Sequence, residues 1–226
     1  MKKSVVVAID GPSGVGKSTV SRLLAGELGF TYIDTGAIYR AVSLKASDAG
    51  IDPADDERVK SFCVALEIVI GNGSISVNDE DLTERIRRPS TGPIASRFSA
   101  SGEVREALLQ FQRRFGEEGR VIMEGRDIGT VVFPAADIKF YLDASNDVRA
   151  ERRWSELREK GVEVELESVK REIEERDNRD ANRALAPLRR AEDAIYVDTG
   201  SINRDEVLRL LLEEVREGVS NGNSDC

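Results

Sequence analysis

Short apolar segments alternate with amphipathic segments along the first part of the chain. Ser4–Asp10 is rich in β-branched residues and predicts a buried strand, and Phe30–Asp34 predicts a second one. Helical periodicity predicts helices over Lys17–Leu28 and Gly36–Ala49. The face of the first helix that we expect to be buried carries Val20, Leu23, Leu24 and Leu28. This order of strand, helix, strand and helix favours a parallel α/β sheet.

The pattern changes in the middle of the chain. Leu66–Ile70 is apolar, Gly71-Asn72-Gly73 is a strong turn signal, and Ile75 and Val77 alternate with polar residues. This arrangement predicts a β-hairpin, with room for a further turn before Leu82. We therefore expect a small antiparallel insertion at about residues 63–90.

The remaining segments return to the alternating pattern. We predict a helix at Glu103–Phe115, strands at Arg120–Met123, Ile138–Leu142 and Ala194–Val197, and a charged helical region at Asn146–Arg183 that is interrupted at Gly161. A closing helix at Asn203–Arg216 directs Val207, Leu208, Leu211, Leu212 and Val215 inward. The expected organisation is one domain over residues 1–218 and a flexible tail over 219–226.

Composition narrows the classes of function. The net charge of −9 disfavours nucleic acid as a main partner, and no apolar run approaches the length of a membrane span. The absence of histidine excludes every mechanism with a histidine base, nucleophile or metal ligand. Cys63 and Cys226 indicate neither a metal site nor a disulfide framework, and the apolar N-terminus fits a buried strand better than a signal peptide. We expect a cytoplasmic protein, monomeric by default.

The segment from Gly11 to Ser18 fits the phosphate-loop pattern G-x-x-x-x-G-K-[ST] between a predicted strand and a predicted helix. Glycines let backbone N–H groups approach phosphate oxygens, and the helix N-terminus adds partial positive charge. Lys17 reaches the β- and γ-phosphates, and the Ser18 hydroxyl is a hard oxygen ligand for Mg²⁺. The predicted triphosphate-binding residues are Gly11, Pro12, Ser13, Gly14, Val15, Gly16, Lys17, Ser18 and Thr19.

Two further loops follow predicted strands and contain arginine. They are Asp34-Thr35-Gly36-Ala37-Ile38-Tyr39-Arg40 and Glu124-Gly125-Arg126-Asp127-Ile128-Gly129-Thr130. Loops after parallel strands line the ligand crevice, and the planar arginine fork matches phosphate oxygens. The chain has 25 arginines and only 8 lysines, although many of these arginines are expected to pair with glutamates on solvated helices. The loops therefore indicate a second phosphate site.

Several motifs together resemble the bacterial cytidylate kinases, which are nucleoside monophosphate kinases. Besides the phosphate loop and Asp34–Arg40, the resemblance rests on Val104–Leu108, on Gly125–Pro134, and on Glu175–Asp180 with Asn182-Arg183-Ala184 and Ala186-Pro187-Leu188. It implies a three-layer α/β/α P-loop fold with a five-stranded parallel sheet, a helical lid at about 149–187 and a small antiparallel β insertion. The implied reaction is transfer of the γ-phosphoryl group of ATP to CMP or dCMP with Mg²⁺.

The resemblance also implies roles for individual residues. Arg40, Arg105 and Arg126 correspond to residues that bind the acceptor phosphate, and Thr35, Ser96, Asp127, Arg176 and Asp180 to contacts with cytosine and sugar. Thr35 stands where many members have serine, and it keeps the hydroxyl. Lys17, Arg126, Arg153 and Arg183 would stabilise the transferring phosphoryl group. Outside these positions, Glu163, Glu165, Glu167, Arg171, Glu172 and Glu174 are expected to form a solvated helix face.

Two other readings of the sequence stay open at this point. A kinase of the same fold could use uridylate, adenylate or shikimate as its acceptor. A P-loop binding protein or switch could lack transferase activity altogether, although a switch does not need the arginines of a second phosphate site. A GTPase is disfavoured because the chain has no N-K-x-D motif.

Overall fold

The structure is a computed structural model that describes residues 4–71 and 73–221 and separates into two compact units. Within the described residues, unit 1 comprises 4–33 and 115–221, and unit 2 comprises 34–71 and 73–114. The strands in chain order are β1 (Val6–Asp10), β2 (Thr31–Asp34), β3 (Ile68–Ile70), β4 (Ile75–Val77), β5 (Glu80–Asp81), β6 (Val121–Gly125), β7 (Ile138–Asp143) and β8 (Ile195–Asp198). The helices are α1 (Lys17–Leu28), α2 (Thr35–Asp48), α3 (Asp56–Val64), α4 (Thr91–Phe98), α5 (Gly102–Glu118), α6 (Asn146–Glu159), α7 (Leu166–Asn182) and α8 (Arg204–Asn221).

A five-stranded sheet in the order β2-β6-β1-β7-β8 forms the centre of unit 1. β1 pairs in parallel with β6 and β7, and β7 pairs in parallel with β8. β1 and β6 are almost entirely buried, as expected for central strands of a sheet that helices cover. With the separate antiparallel sheet of unit 2, this confirms the predicted α/β fold class.

Helix α1 packs on the sheet with a buried face that differs slightly from the predicted one. Val20 and Leu24 are buried and Leu28 is partly buried, but Leu23 is 39% exposed, so its predicted inward position is wrong. Ser21 and Ala25 are buried instead. The buried face of α1 is therefore centred nearer to Ser21 and Ala25 than predicted, and Leu23 lies beside this face and in contact with solvent.

Helix α8 contributes the predicted apolar face to the same core. Val207, Leu211 and Val215 are buried, and Leu208 and Leu212 pack against them. The helix continues to Asn221 rather than ending at Arg216, because Val219 adds one more apolar contact a turn after Val215. Residues 219–221 of the predicted tail are thus helical, and 222–226 lie outside the described residues.

The predicted lid region contains two helices, α6 and α7, separated around Gly161 as expected. Gly161 has a φ of 73°, a left-handed conformation that ends a helix and favours glycine. The two helices bury a small core of Ala150, Leu157, Val169 and Ile173. The charged face predicted for this region, Glu163, Glu165, Glu167, Arg171, Glu172 and Glu174, is exposed as expected.

Unit 2 combines α2, α3 and α4 with an antiparallel sheet in the order β3-β4-β5. The hairpin and its additional turn are confirmed, with Val77 and Leu82 fully buried. The sheet spans less than the predicted insertion at 63–90, and helices α3 and α4 are not among our predictions. An ion-pair network joins α2 to the sheet, because Lys45 and Arg85 both bind Glu80.

No helix within residues 4–71 and 73–221 is both long enough and apolar enough to cross a membrane.

Candidate active site

The phosphate loop joins β1 to α1 in unit 1 and depends on glycine at three positions. Gly11, Gly14 and Gly16 have φ values of 147°, 82° and 89°, which strongly disfavour side chains. Gly16 is the N-cap of α1, and no side chain caps this helix end. The first backbone N–H groups of α1 are therefore available to an anion, which the helix dipole also favours.

Gly11 gives the first prediction, because a Cβ at this position would lie 2.0 Å from the carbonyl oxygen of Leu142. We expect Gly11→Ala to lower the free energy of unfolding by about 1–3 kcal/mol through overpacking and strain, and to raise the KM for ATP. The control is Gly26→Ala in α1, where a Cβ meets no atom within 4 Å and alanine favours the helix. A Gly11→Ala protein with the thermal stability and ATP KM of the wild type would contradict this account.

Lys17 is buried in the loop, with 6% of its surface exposed. Its Nζ donates to the carbonyl oxygens of Gly11, at 2.7 Å, and Pro12, at 2.5 Å. Burial and the charge of Arg126 hold the pKa of Lys17 well below its usual value, while Glu124 and Asp10 act in the opposite direction. An anionic phosphate would favour the ammonium form and would be a stronger acceptor than a neutral carbonyl.

The Arg126-Asp127 loop begins next to the phosphate loop. It follows β6, which is one of the two neighbours of β1, and Gly125 pairs with Asp10 in the parallel register. The expectation that these two loops open at the same edge of the sheet is therefore confirmed.

Four predicted site residues form a charged cluster in unit 1. Arg126 Nε donates to Asp180 Oδ2 at 3.1 Å, and Arg183 Nη2 donates to Asp127 Oδ1 at 3.2 Å. Arg183 Nη1 also lies 4.0 Å from Asp180 Oδ1. The side chains of Asp127, Asp180 and Arg183 are less than a tenth exposed, and that of Arg126 is 18% exposed. Buried charges of this kind require partners, and α7 and the residue after it supply them to the loop after β6.

Two further predicted residues of unit 1, Arg176 and Arg153, lie on helices α7 and α6. Arg176 is one turn before Asp180 on α7, and its charge helps to lower the pKa of Lys17. Arg153 on α6 instead forms an ion pair with Glu156 of its own helix, at 3.2 Å. The structure thus brings Arg183, but not Arg153, into the charged cluster.

Unit 2 carries the remaining predicted residues. Thr35 is the buried first residue of α2, and Ser96 is buried on α4. Arg40 Nη2 lies 3.0 Å from Oδ2 of Asp34, the carboxylate that caps α2 through the N–H of Ala37. In addition, the guanidinium of Arg105 lies 5.4 Å from the centre of the Tyr39 ring and donates to the carbonyl of Ser99.

Comparison with known proteins gives a clear relationship. The family model for cytidylate kinase matches residues 7–217. The chain belongs to the cytidylate kinase family. It is 47% identical to the cytidylate kinase of Syntrophotalea carbinolica, over 96% of this chain and 94% of that protein. It is 48% identical to the cytidylate kinase of Geobacter sulfurreducens, again over 96% and 94% of the two chains.

The solved structures that it resembles support the fold only. A gluconokinase from Sinorhizobium meliloti aligns over the whole of both chains with a TM-score of 0.52 and 16% identity. The family relationship shows that this chain functions as a cytidylate kinase, which is a phosphotransferase.

Two arginines of α6, which are not among the predicted site residues, make contacts around the phosphate loop. Arg149 is 7% exposed and donates to the carbonyls of Ala144 and Ser13 and to the carboxylate of Asp177. Arg152 Nη2 donates to the backbone carbonyl of Thr199 at 2.6 Å. The Thr199 hydroxyl donates in turn to the carbonyl of Val15, at 3.0 Å. Helix α6 and the residue after β8 thereby bond the backbone of the phosphate loop at Ser13 and Val15.

Sequence reasoning also missed two buried carboxylates at strand ends. Asp10 ends β1 and is 4% exposed, and Glu124 in β6 is 3% exposed and accepts from the hydroxyl of Tyr32. The signal in the sequence is an acidic residue that closes an apolar strand just before a glycine. Such a residue is costly to bury and therefore suggests a specific contact.

Proposed function

We propose that the protein transfers the γ-phosphoryl group of ATP to CMP or dCMP, with Mg²⁺, through the residues assigned below. The observation that best supports this assignment is the buried cluster of Arg126, Asp127, Asp180 and Arg183 beside the phosphate loop. A phosphate loop alone accounts only for the donor. The arginines of the cluster supply fixed positive charge, which suits the phosphate of a nucleoside monophosphate. Its carboxylates can accept a hydrogen bond from the base of that nucleotide.

On the donor side, Gly11–Thr19 bind the ATP phosphates. The uncapped N-terminus of α1 and the glycine conformations support this assignment. Ser18 is exposed in the first turn of α1 and offers a hydroxyl oxygen, a donor that suits Mg²⁺. Bound Mg²⁺ would neutralise charge on the β- and γ-phosphate oxygens. Lys17 holds the same oxygens, and the hydrogen bonds from Arg149 and Thr199 keep the loop in its binding conformation.

On the acceptor side of unit 1, Arg126 binds the CMP phosphate and Asp127 accepts from the exocyclic amine of cytosine. Uracil presents a carbonyl at that position, so a carboxylate there would face it unfavourably. Asp180 and Arg183 hold this pair through the contacts already described, and Arg176 and Asp180 add contacts to base or sugar. Arg183 and Arg153 stabilise the transferring phosphoryl group. For this role Arg153 exchanges its ion pair with Glu156 for a contact with the phosphoryl oxygens.

For unit 2 we propose, from the family resemblance, that Arg40 and Arg105 bind the acceptor phosphate. Thr35 and Ser96 contact the sugar and base. The stacking of Arg105 on Tyr39 supports this role, because it orders a long side chain and lowers the entropy lost on binding. The salt bridge of Arg40 with Asp34 has the same effect.

The acceptor assignment is tested with a panel of CMP, dCMP, UMP, AMP and shikimate at saturating ATP and Mg²⁺. We expect CMP and dCMP to have the highest kcat/KM. UMP should be at least about tenfold poorer, since it lacks the amine that donates to the charged carboxylate, and such a hydrogen bond contributes about 1.5–3 kcal/mol. Equal or better turnover of UMP would contradict the role of Asp127. ATP hydrolysis without phosphorylation of any acceptor would favour a nucleotide switch.

We further propose that the protein acts as a cytoplasmic monomer and has no nucleic-acid partner. The net charge of −9 supports the last point, because a phosphate backbone would be repelled. Light scattering of the purified protein and fractionation of cells check these two statements.

A further inference from the structure

Asp10 links the two functional loops of unit 1, although the mechanism above gives it no role. It is the last residue of β1 and directly precedes the phosphate loop. Its Oδ1 accepts from the backbone N–H of Ile128 at 2.8 Å, and its Oδ2 accepts from the N–H of Gly129 at 2.7 Å. Each carboxylate oxygen therefore has its own donor in the loop that carries Arg126 and Asp127.

The two N–H groups that donate to Asp10 belong to the first residues of a helical turn in that loop. Ile128–Val132 form a π-helical turn, in which the N–H groups of Val131 and Val132 bond back to the carbonyl of Asp127. The N–H groups of Ile128 and Gly129 begin the turn, where helical segments lack internal partners. Asp10 caps this turn from a neighbouring strand, and the capped turn starts immediately after Asp127.

Burying the charged carboxylate of Asp10 at this position costs free energy. Burial raises the pKa of Asp10 to about 6, and the charge of Asp127 acts in the same direction. The two backbone hydrogen bonds and the charge of Lys17 offset only part of this effect. Tyr141, on β7, is a further titratable group close enough for Asp10 to raise its pKa. A neutral side chain would be cheaper to bury, but it could not accept from both N–H groups with both of its polar atoms.

We infer that Asp10 is a positioning residue for the acceptor. Its carboxylate holds the loop after β6 against the phosphate loop, so that Arg126 and Asp127 have the orientation in which they meet CMP. This inference rests on the proposed acceptor roles of Arg126 and Asp127. It predicts that removing one carboxylate oxygen of Asp10 weakens the binding of CMP and leaves the binding of ATP almost unchanged.

The test is Asp10→Asn, which keeps the size of the side chain and replaces one oxygen with an amide donor facing a backbone N–H. We expect the KM for CMP to rise about tenfold, the cost of one hydrogen bond to a charged group, and the preference for CMP over UMP to fall. The KM for ATP should change less than twofold. Equal changes in both KM values would overturn the inference, since Asp10 would then support the phosphate loop itself.

The matched control is Asp143→Asn at the end of β7, the other neighbour of β1. The carboxylate of Asp143 accepts from the N–H of the next residue, Ala144, and it also bonds the side chain of Tyr196 on β8. Both of these partners lie outside the loop after β6. This variant should keep both KM values. If Asp10→Asn does not yield folded protein, Asp10→Ser keeps one acceptor in a smaller side chain and carries the same test.

Two measurements separate this inference from the proposed function. If Arg126→Ala leaves the KM for CMP unchanged, the acceptor role of Arg126 fails whatever Asp10 does. If Arg126→Ala raises that KM and Asp10→Asn does not, only the role of Asp10 fails. In the wild-type protein, the amides of Ile128 and Gly129 should exchange slowly with solvent by NMR, and rapid exchange of both would overturn the cap.

Discussion

Replacing Lys17 with methionine should lower kcat by about 10²- to 10³-fold, the cost typical of removing one preorganised donor from a developing oxyanion. The side chain is buried, and its Nζ donates to two neutral backbone carbonyls, which are weaker acceptors than an anionic phosphate. The measurement is kcat at saturating ATP, CMP and Mg²⁺. Methionine keeps the length and the apolar stem, so the loss reports on the charge.

Lys139 provides a matched control within the same unit. It is also buried, at 7% exposure, and its Nζ bonds a backbone carbonyl, that of Pro134, as well as Asp193. Lys139→Met should lower the free energy of unfolding by about 1–2 kcal/mol and change kcat less than threefold. If Lys17→Met and Lys139→Met have the same effect on kcat, burial rather than phosphate binding explains the loss.

Replacing Arg126 with alanine should lower kcat/KM for CMP by about 10- to 100-fold, as expected for a lost charge-assisted contact. Two of its N–H groups have partners among the described residues, Asp180 and the carbonyl of Gly125, and the others suit a phosphate. The KM for CMP should rise much more than the KM for ATP. Steady-state kinetics with each substrate varied in turn measures this difference.

Arg126→Lys separates charge from geometry. Lysine keeps a positive charge but lacks the planar fork, so we expect an effect between those of the wild type and alanine. Arg158→Ala is the control, because the guanidinium of Arg158 lies over the ring of Trp154 on its own helix, α6, and none of the proposed site roles involves it. Equal rises in the two KM values for Arg126→Ala would contradict the acceptor role, and a fall in thermal stability alone would indicate only the lost salt bridge with Asp180.

The buried charges of unit 1 explain why both replacements should have large effects. Burial holds the pKa of Lys17 below its usual value, and the charges of Arg126, Arg176, Glu124 and Asp10 also act on it, so these groups lie around one buried ammonium. Charges in such a region interact more strongly than in water. They are also already in position, so little reorganisation is needed when negative charge moves between two phosphates.

Local signals in the sequence were sufficient for the phosphate loop and most of the secondary structure. The loop needs glycine at Gly11, Gly14 and Gly16 because of backbone conformation, and this need is visible in the residue types themselves. Short apolar runs predicted the strands of the central sheet, because helices cover the sheet and bury both faces of its central strands. A period of 3.6 predicted the buried face of α8, because only one face of that helix packs on the core. The helical pattern wrongly predicted that Leu23 is buried, because such a pattern locates the buried face of a helix only to within about one residue position.

Tertiary structure alone decided how the charged residues pair. Arg126 and Asp180 are far apart in the chain, and an E-R-D-x-R-D run looks like an ordinary solvated helix until α7 meets the loop after β6. The contacts of Asp10 also could not be predicted from the sequence. Its two partners are backbone N–H groups, which every residue except proline has, so the residue types do not reveal them. By itself the sequence determined where the phosphate-loop motif lies, between β1 and α1, and, through its motifs, the family. The pairing of buried charges depended on the fold, because burial makes each charge require a partner that only the packed chain can bring close.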